Sequence, residues 1–146
     1  MLPTKSADVI VIGAGVMGTS AAYHLAMRGM TNVVVLEKEQ FVGQGATGRC
    51  AGGVRYQFGT EINVRLSIES LRMLADFRRE LDQDIAFRRC GYLFVLTDEK
   101  DAASFRQFAV MQQGLGVATE ILTGAEVRRR LPQMRFDDAL ACILIR

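Results

Sequence analysis

Apolar positions recur along this chain with two alternating spacings, and the alternation predicts an α/β fold. Residues 8–12 form a short β-branched run, the pattern of a buried parallel strand. The run leads directly into Gly13-Ala14-Gly15-Val16-Met17-Gly18, and residues 19–28, rich in small and apolar side chains, follow as a helix. Gly29 closes that helix, because glycine tolerates the left-handed backbone needed just past a helix end. Residues 32–36 predict a second strand ending at Glu37-Lys38. Strand, glycine turn, helix and strand within about 30 residues have the scale of one βαβ unit.

The next stretch differs in kind. Residues 40–59 hold Gly43, Gly45, Gly48, Gly52, Gly53 and Gly59, too many glycines for a regular helix, so they predict a loop whose backbone approaches something closely. Helical spacing returns at Glu61, with Val64, Ile68, Leu71, Ala75 and Arg78 on one stripe and Leu74, Phe77 and Leu81 widening it. Residues 85–89 and 92–96 predict strand, interrupted by Gly91. Asp98, with Asp101 three residues later, starts a helix whose apolar positions are Phe105, Phe108, Met111 and Leu115; Gly114 and Gly116 end it. Residues 117–122 predict another strand. Thr123 and Glu126 have capping-box spacing before a short helix over 127–131, which Pro132 stops. Residues 139–145 predict a last strand.

Composition narrows the class. The chain has 146 residues, 49% hydrophobic and 23% charged, a balance able to bury a core. A net charge of +2 offers no electrostatic basis for nucleic acid as a partner. Arg128-Arg129-Arg130 reads as a solvated helix face. Cys50, Cys90 and Cys142 show no CxxC spacing, so neither a disulfide framework nor a metal site is expected, and a reducing, cytoplasmic compartment is. Residues 1–6 are too short and polar for a signal peptide, and no apolar run has membrane length.

The glycine turn carries the chemistry. A GxGxxG pattern alone is weak, but here a strand precedes it and a helix follows. Gly13 permits the tight turn, Gly15 removes a side chain that would block a pyrophosphate, and Gly18 lets helix and strand pack closely. The N–H groups and dipole of the helix start then face the phosphates. Glu37, at the end of the second strand, can accept hydrogen bonds from both ribose hydroxyls, and its charge would repel a 2′-phosphate. The motif leaves FAD and NAD open; the long glycine-rich loop suits a ligand whose second half needs close backbone contact. His24 reads as an ordinary helix residue, and Tyr56 and Tyr92 as packing.

Residues 8–18, Leu36-Glu37-Lys38, the loop 45–53 and Cys90-Gly91-Tyr92-Leu93-Phe94 together resemble the D-amino-acid-oxidase-type flavoproteins, in the branch of sarcosine oxidase (its β subunit) and dimethylglycine dehydrogenase. The resemblance runs through nearly the whole chain. It implies FAD as cofactor, with Gly13, Gly15, Val16, Met17 and Gly18 at the pyrophosphate and Glu37 at the ribose. Lys38 is implied at the adenine end, and Thr47, Gly48, Arg49 and Cys50 near the flavin. It also implies oxidation of a C–N bond in amines or amino acids by hydride transfer to flavin. Residues 55–59 match a segment in which such oxidases hold an arginine against the substrate carboxylate, so Arg55 takes that role by resemblance; a guanidinium suits a planar carboxylate. Cys50 falls near the position where relatives carry a histidine joined to flavin. This chain departs from that pattern, and a small pocket-lining residue is expected there.

The expected architecture is therefore a Rossmann-like FAD/NAD(P)-binding βαβ unit over residues 1–82, followed over 83–146 by the beginning of a substrate-domain sheet with flanking helices. The expected partners are a small amine or amino-acid substrate and other oxidoreductase subunits. The chain reads as the N-terminal part of a longer enzyme, inactive by itself. An NAD-binding oxidoreductase subunit and a non-catalytic nucleotide-binding fragment remain the alternatives.

Overall fold

A computed structural model describes residues 6–145; the signal-peptide reading of residues 1–6 falls almost wholly outside them. The chain divides into two compact units, one ending at Gly53 and the other beginning at Val54.

The first unit is the βαβ element. β1 (Val9–Ile12) pairs in parallel with β2 (Val33–Leu36), Val9 opposite Val33 and Ile12 opposite Leu36, and α1 (Val16–Met27) makes the crossover. The helix begins three residues earlier than its apolar pattern indicates, because Val16 and Met17 already have helical backbone at the end of the glycine turn. Gly29, at φ +85°, follows its end, as the sequence implies. Residues 37–53 contain no helix or strand among them.

The second unit packs α2 (Glu61–Leu81), α3 (Glu99–Gly114) and α4 (Gly124–Arg130) with an antiparallel sheet. Its strands are β3 (Tyr92–Leu96), β4 (Thr119–Leu122) and β5 (Ala141–Ile145), in the order β3-β5-β4. The last strand in the chain thus lies in the middle. Its run Ala-Cys-Ile-Leu-Ile is buried at four of five positions, as a central strand requires. Ile143, Ala141 and Leu96 pack with Ala102 and Ala109 of α3. Val64 of α2, Val117 and Ile145 form a second cluster. Leu122, Val127, Phe136 and Cys142 form a third.

Local signals set the helix ends. Asp98 accepts the N–H groups of Lys100 and Asp101, and Thr123 with Glu126 closes a full capping box. Arg128 and Arg130 are ion-paired with Asp137 and Glu120, so most of the triple-arginine face is used within the fold.

Two expectations are corrected. Residues 85–89 form no strand: Asp82 and Ala86 both take left-handed backbone (φ 52°), and the Asp84 carboxylate accepts the Ala86 N–H at 2.7 Å. That local turn displaces the extended backbone a strand needs. The two compact units meet in sequence at Gly53/Val54, and Val64 and Leu71 bury α2 within the second of them. The buried stripe of α2 also drifts, leaving Ala75 and Arg78 exposed while Leu74 and Phe77 turn inward. Among the described residues, no helix is long and apolar enough to cross a membrane.

Candidate functional site

In the first unit, the glycine turn is built by close backbone approach. Gly13 has φ +97°, a conformation that side-chain-bearing residues rarely adopt. A Cβ added to Gly18 would overlap the Gly13 carbonyl oxygen and come within 3.3 Å of Val11 Cγ1, so only glycine lets α1 start this close to β1.

Gly15 is the N-cap of α1 and has no side chain with which to cap it. The loop supplies one instead. Thr47 Oγ1 accepts the Val16 N–H at 2.9 Å, and a Cβ on Gly15 would lie 3.0 Å from that same oxygen. Two further bonds fasten the loop: Gly43 N–H donates to the Ala14 carbonyl at 3.0 Å, and Gly48 N–H to the Gly43 carbonyl at 2.7 Å. Gly48 is as constrained as Gly18 in kind, since a Cβ there would stand 2.5 Å from the Gly43 oxygen.

Glu37 sits between the two strands' ends in a role that spacing did not reveal. Its Oε2 accepts the Ala14 N–H at 2.7 Å, and its Oε1 accepts the N–H groups of Lys38 and Glu39 at 2.8 and 3.1 Å. These amides, Glu39 and Ala14 foremost, hold its carboxyl below the usual carboxylate range because they bind the charged form. A carboxylate offers about four lone-pair positions, so capacity remains for a ligand donor.

The arrangement fits a pyrophosphate. Among the described residues, the N–H groups of Gly15, Met17 and Gly18 find no hydrogen-bond partner. Unpaired amides at a helix start, with the positive end of its dipole, form an anion site. The Thr47 hydroxyl keeps its own proton to donate. The site residues expected from sequence thus gather unevenly. Gly13, Gly15, Val16, Met17, Gly18, Glu37, Thr47 and Gly48 form one connected arrangement. Cys50 joins it through its thiol, which donates to the Thr47 carbonyl at 3.1 Å. Lys38 and Arg49 are exposed, and the exposed pairing of Lys38 with Glu39 at 3.7 Å contributes little.

In the second unit, Arg55 lies with its guanidinium 5.7 Å from the ring centres of both Phe58 and Phe94, a cation–π seat that orients it. The segment carrying it is tied down by a buried amide. Gln112, 2% exposed, donates from Nε2 to the Phe58 carbonyl at 3.2 Å and accepts from the Thr119 hydroxyl at 3.3 Å. Sequence reasoning missed Gln112 because it lies on the buried side of a helix whose other inward positions are apolar. It also missed Gly43, whose loop bonds only the folded backbone displays, and Gln57, buried two residues after Arg55.

The family pattern described as "FAD dependent oxidoreductase" matches residues 8–145. The FAD-dependent oxidoreductase domain-containing protein 1 of Xenopus laevis is 32% identical over 141 residues, covering 90% of this chain and 28% of its own length. Mitochondrial sarcosine dehydrogenase of Homo sapiens is 27% identical over 145 residues, covering 97% of this chain and 15% of its own. Among solved structures, L-proline dehydrogenase from P. horikoshii superposes with a TM-score of 0.83 at 33% identity, over 96% of this chain and 36% of that one. The chain therefore spans well under half the length of each of these proteins.

Proposed function

The chain belongs to the FAD-dependent oxidoreductase family, and from that premise we propose that it contributes the FAD-binding turn and part of the substrate-binding wall of an enzyme that oxidises the C–N bond of amines or amino acids. The observation that carries the reading is the set of free N–H groups at Gly15, Met17 and Gly18, framed by Glu37 and the Thr47 hydroxyl. Solved and curated relatives named for sarcosine and L-proline oxidation support the substrate class.

FAD, when bound, accepts the hydride from the carbon beside the amine nitrogen. The chain's own residues bind and orient. The amides of Gly15, Met17 and Gly18 hold the pyrophosphate, helped by the close packing that Gly13 and Gly18 permit. Val16 spends its N–H on Thr47 and so secures the loop instead. Glu37 ties the turn together and offers its remaining lone pair to the ribose, while Lys38 stands at the adenine end. Thr47, Gly48, Arg49 and Cys50 belong to the flavin end, with Cys50 as a pocket-lining residue and not an attachment point. Arg55, aligned by two aromatic rings, pairs with the substrate carboxylate, for which its planar fork is suited.

Titrating the chain with FAD while following flavin fluorescence tests the cofactor assignment. Saturable binding that excess NAD⁺ does not displace is expected. Displacement by NAD⁺ at similar concentration would refute it in favour of a nicotinamide-binding subunit.

A further inference from the structure

The second unit contains a pocket whose wall includes Arg55, Gln57, Arg88, Arg89 and Tyr92, and no acidic residue lines it. We propose that this pocket selects amines that carry two carboxylates over amino acids that carry one, with Gln57 accepting the amine N–H. The inference deepens the substrate assignment of Arg55 and rests on it.

Charge is the first observation. Most arginines of this unit pair with a carboxylate, among them Arg65, Arg72, Arg79 and Arg130. Among the described residues, Arg55, Arg88 and Arg89 pair with none. Guanidinium groups remain charged throughout the working pH range, so unpaired arginines along one pocket wall favour an anionic ligand. An amino acid such as sarcosine is a zwitterion with no net charge, so its ammonium offsets the gain made by its carboxylate. An amine with two carboxylates brings a net negative charge and can engage Arg55 and the Arg88–Arg89 pair together.

The second observation is independent of charge. Gln57 is 8% exposed; its Nε2 donates to the Tyr92 carbonyl at 3.4 Å, and its Oε1 has no partner among the described residues. A buried acceptor left unpaired is destabilising unless something donates to it. A carboxylate cannot do so, being itself an acceptor. An N–H can. Arginine forks for carboxylates and an amide oxygen for an N–H therefore ask for both groups on one ligand, which a secondary amine dicarboxylate provides. Residues 83–91 beside the pocket form no helix or strand, and since Oε1 is covered, amine binding requires this segment to shift.

Calorimetric titration of the chain without flavin, using iminodiacetate, sarcosine, succinate and inorganic phosphate as probes, tests this. Iminodiacetate is expected to bind saturably and about tenfold or more tightly than sarcosine, with the margin shrinking as salt screens the arginines. The double variant Arg88→Gln/Arg89→Gln should reduce the margin to threefold or less, while Arg129→Gln, remote in sequence and exposed, leaves it unchanged. Gln57→Leu removes the unpaired acceptor; it should weaken iminodiacetate and spare succinate, which has no N–H. Equal affinity for iminodiacetate and sarcosine overturns the proposal, and so does phosphate binding as tightly as iminodiacetate, which would make the pocket a site for an adventitious ion only. Because no flavin is present, loss of FAD binding leaves these outcomes unaffected. A chain that binds FAD but shows no dicarboxylate preference overturns this inference alone.

Discussion

Replacing Gly18 by alanine tests how the nucleotide turn is built. A Cβ at this position would overlap the Gly13 carbonyl oxygen, lie 3.0 Å from the Gly13 carbonyl carbon and 3.3 Å from Val11 Cγ1. The first two contacts are backbone, so no side chain can swing aside. Restoring ordinary contact requires α1 to retreat by more than about 1 Å. Overpacking of this kind costs about 1–3 kcal/mol and occasionally more. Alanine's advantage over glycine within a helix offsets about 1 kcal/mol of it. Because the overlap is with backbone, the upper end of that range, about 3 kcal/mol, applies, and the net expectation is a loss of roughly 2 kcal/mol, or about 4–8 °C in Tm for a chain of this size. The same retreat withdraws the amides of Met17 and Gly18 from the pyrophosphate, so FAD affinity should fall at least about tenfold. Gly114→Ala is the control: nothing lies within 4 Å of its added Cβ, and a small rise in Tm is expected. Thermal melts and flavin-fluorescence titration measure both effects. If Gly18→Ala melted and bound FAD like the wild type, close backbone approach would not be what the turn requires.

Two further perturbations probe the rest of the fold. Glu37→Gln tests the carboxylate that gathers three backbone amides. Its folded-state pKa lies below the ordinary value of 4.5, so its stabilisation is present above that pH and is lost as pH falls through the depressed value. The Tm gap between wild type and variant should be widest above pH 4.5 and close below it; a gap independent of pH would mean that the charge is not what holds the turn. Gln112→Leu strands the Phe58 carbonyl and the Thr119 hydroxyl in the second unit, and roughly 2 kcal/mol should be lost in urea denaturation. A loss below about 0.5 kcal/mol would place it among ordinary surface substitutions.

What the sequence alone determined is what depends on neighbours in the chain. The Gly13–Gly18 turn, the strands on either side of it, the Asp98 cap, the Thr123/Glu126 capping box and the glycines that close α1 and α3 all rest on backbone conformation or on hydrogen bonds within a few residues. Such signals survive outside the folded context, and each of those elements is present. Residues 85–89 show where this reasoning fails. Their composition suits a strand, but a strand also needs a partner, and the Asp84–Ala86 turn claims the backbone first. Tertiary structure alone decided that β5, last in sequence, lies between β3 and β4, since sheet order depends on burial across the fold. It also decided the long-range polar contacts: Thr47 capping α1 from 31 residues away, Glu37 reaching back to Ala14, Gln112 holding Phe58 from 54 residues away. A polar side chain does not announce in sequence which distant amide it will satisfy. That pairing follows only when burial removes water as the alternative partner.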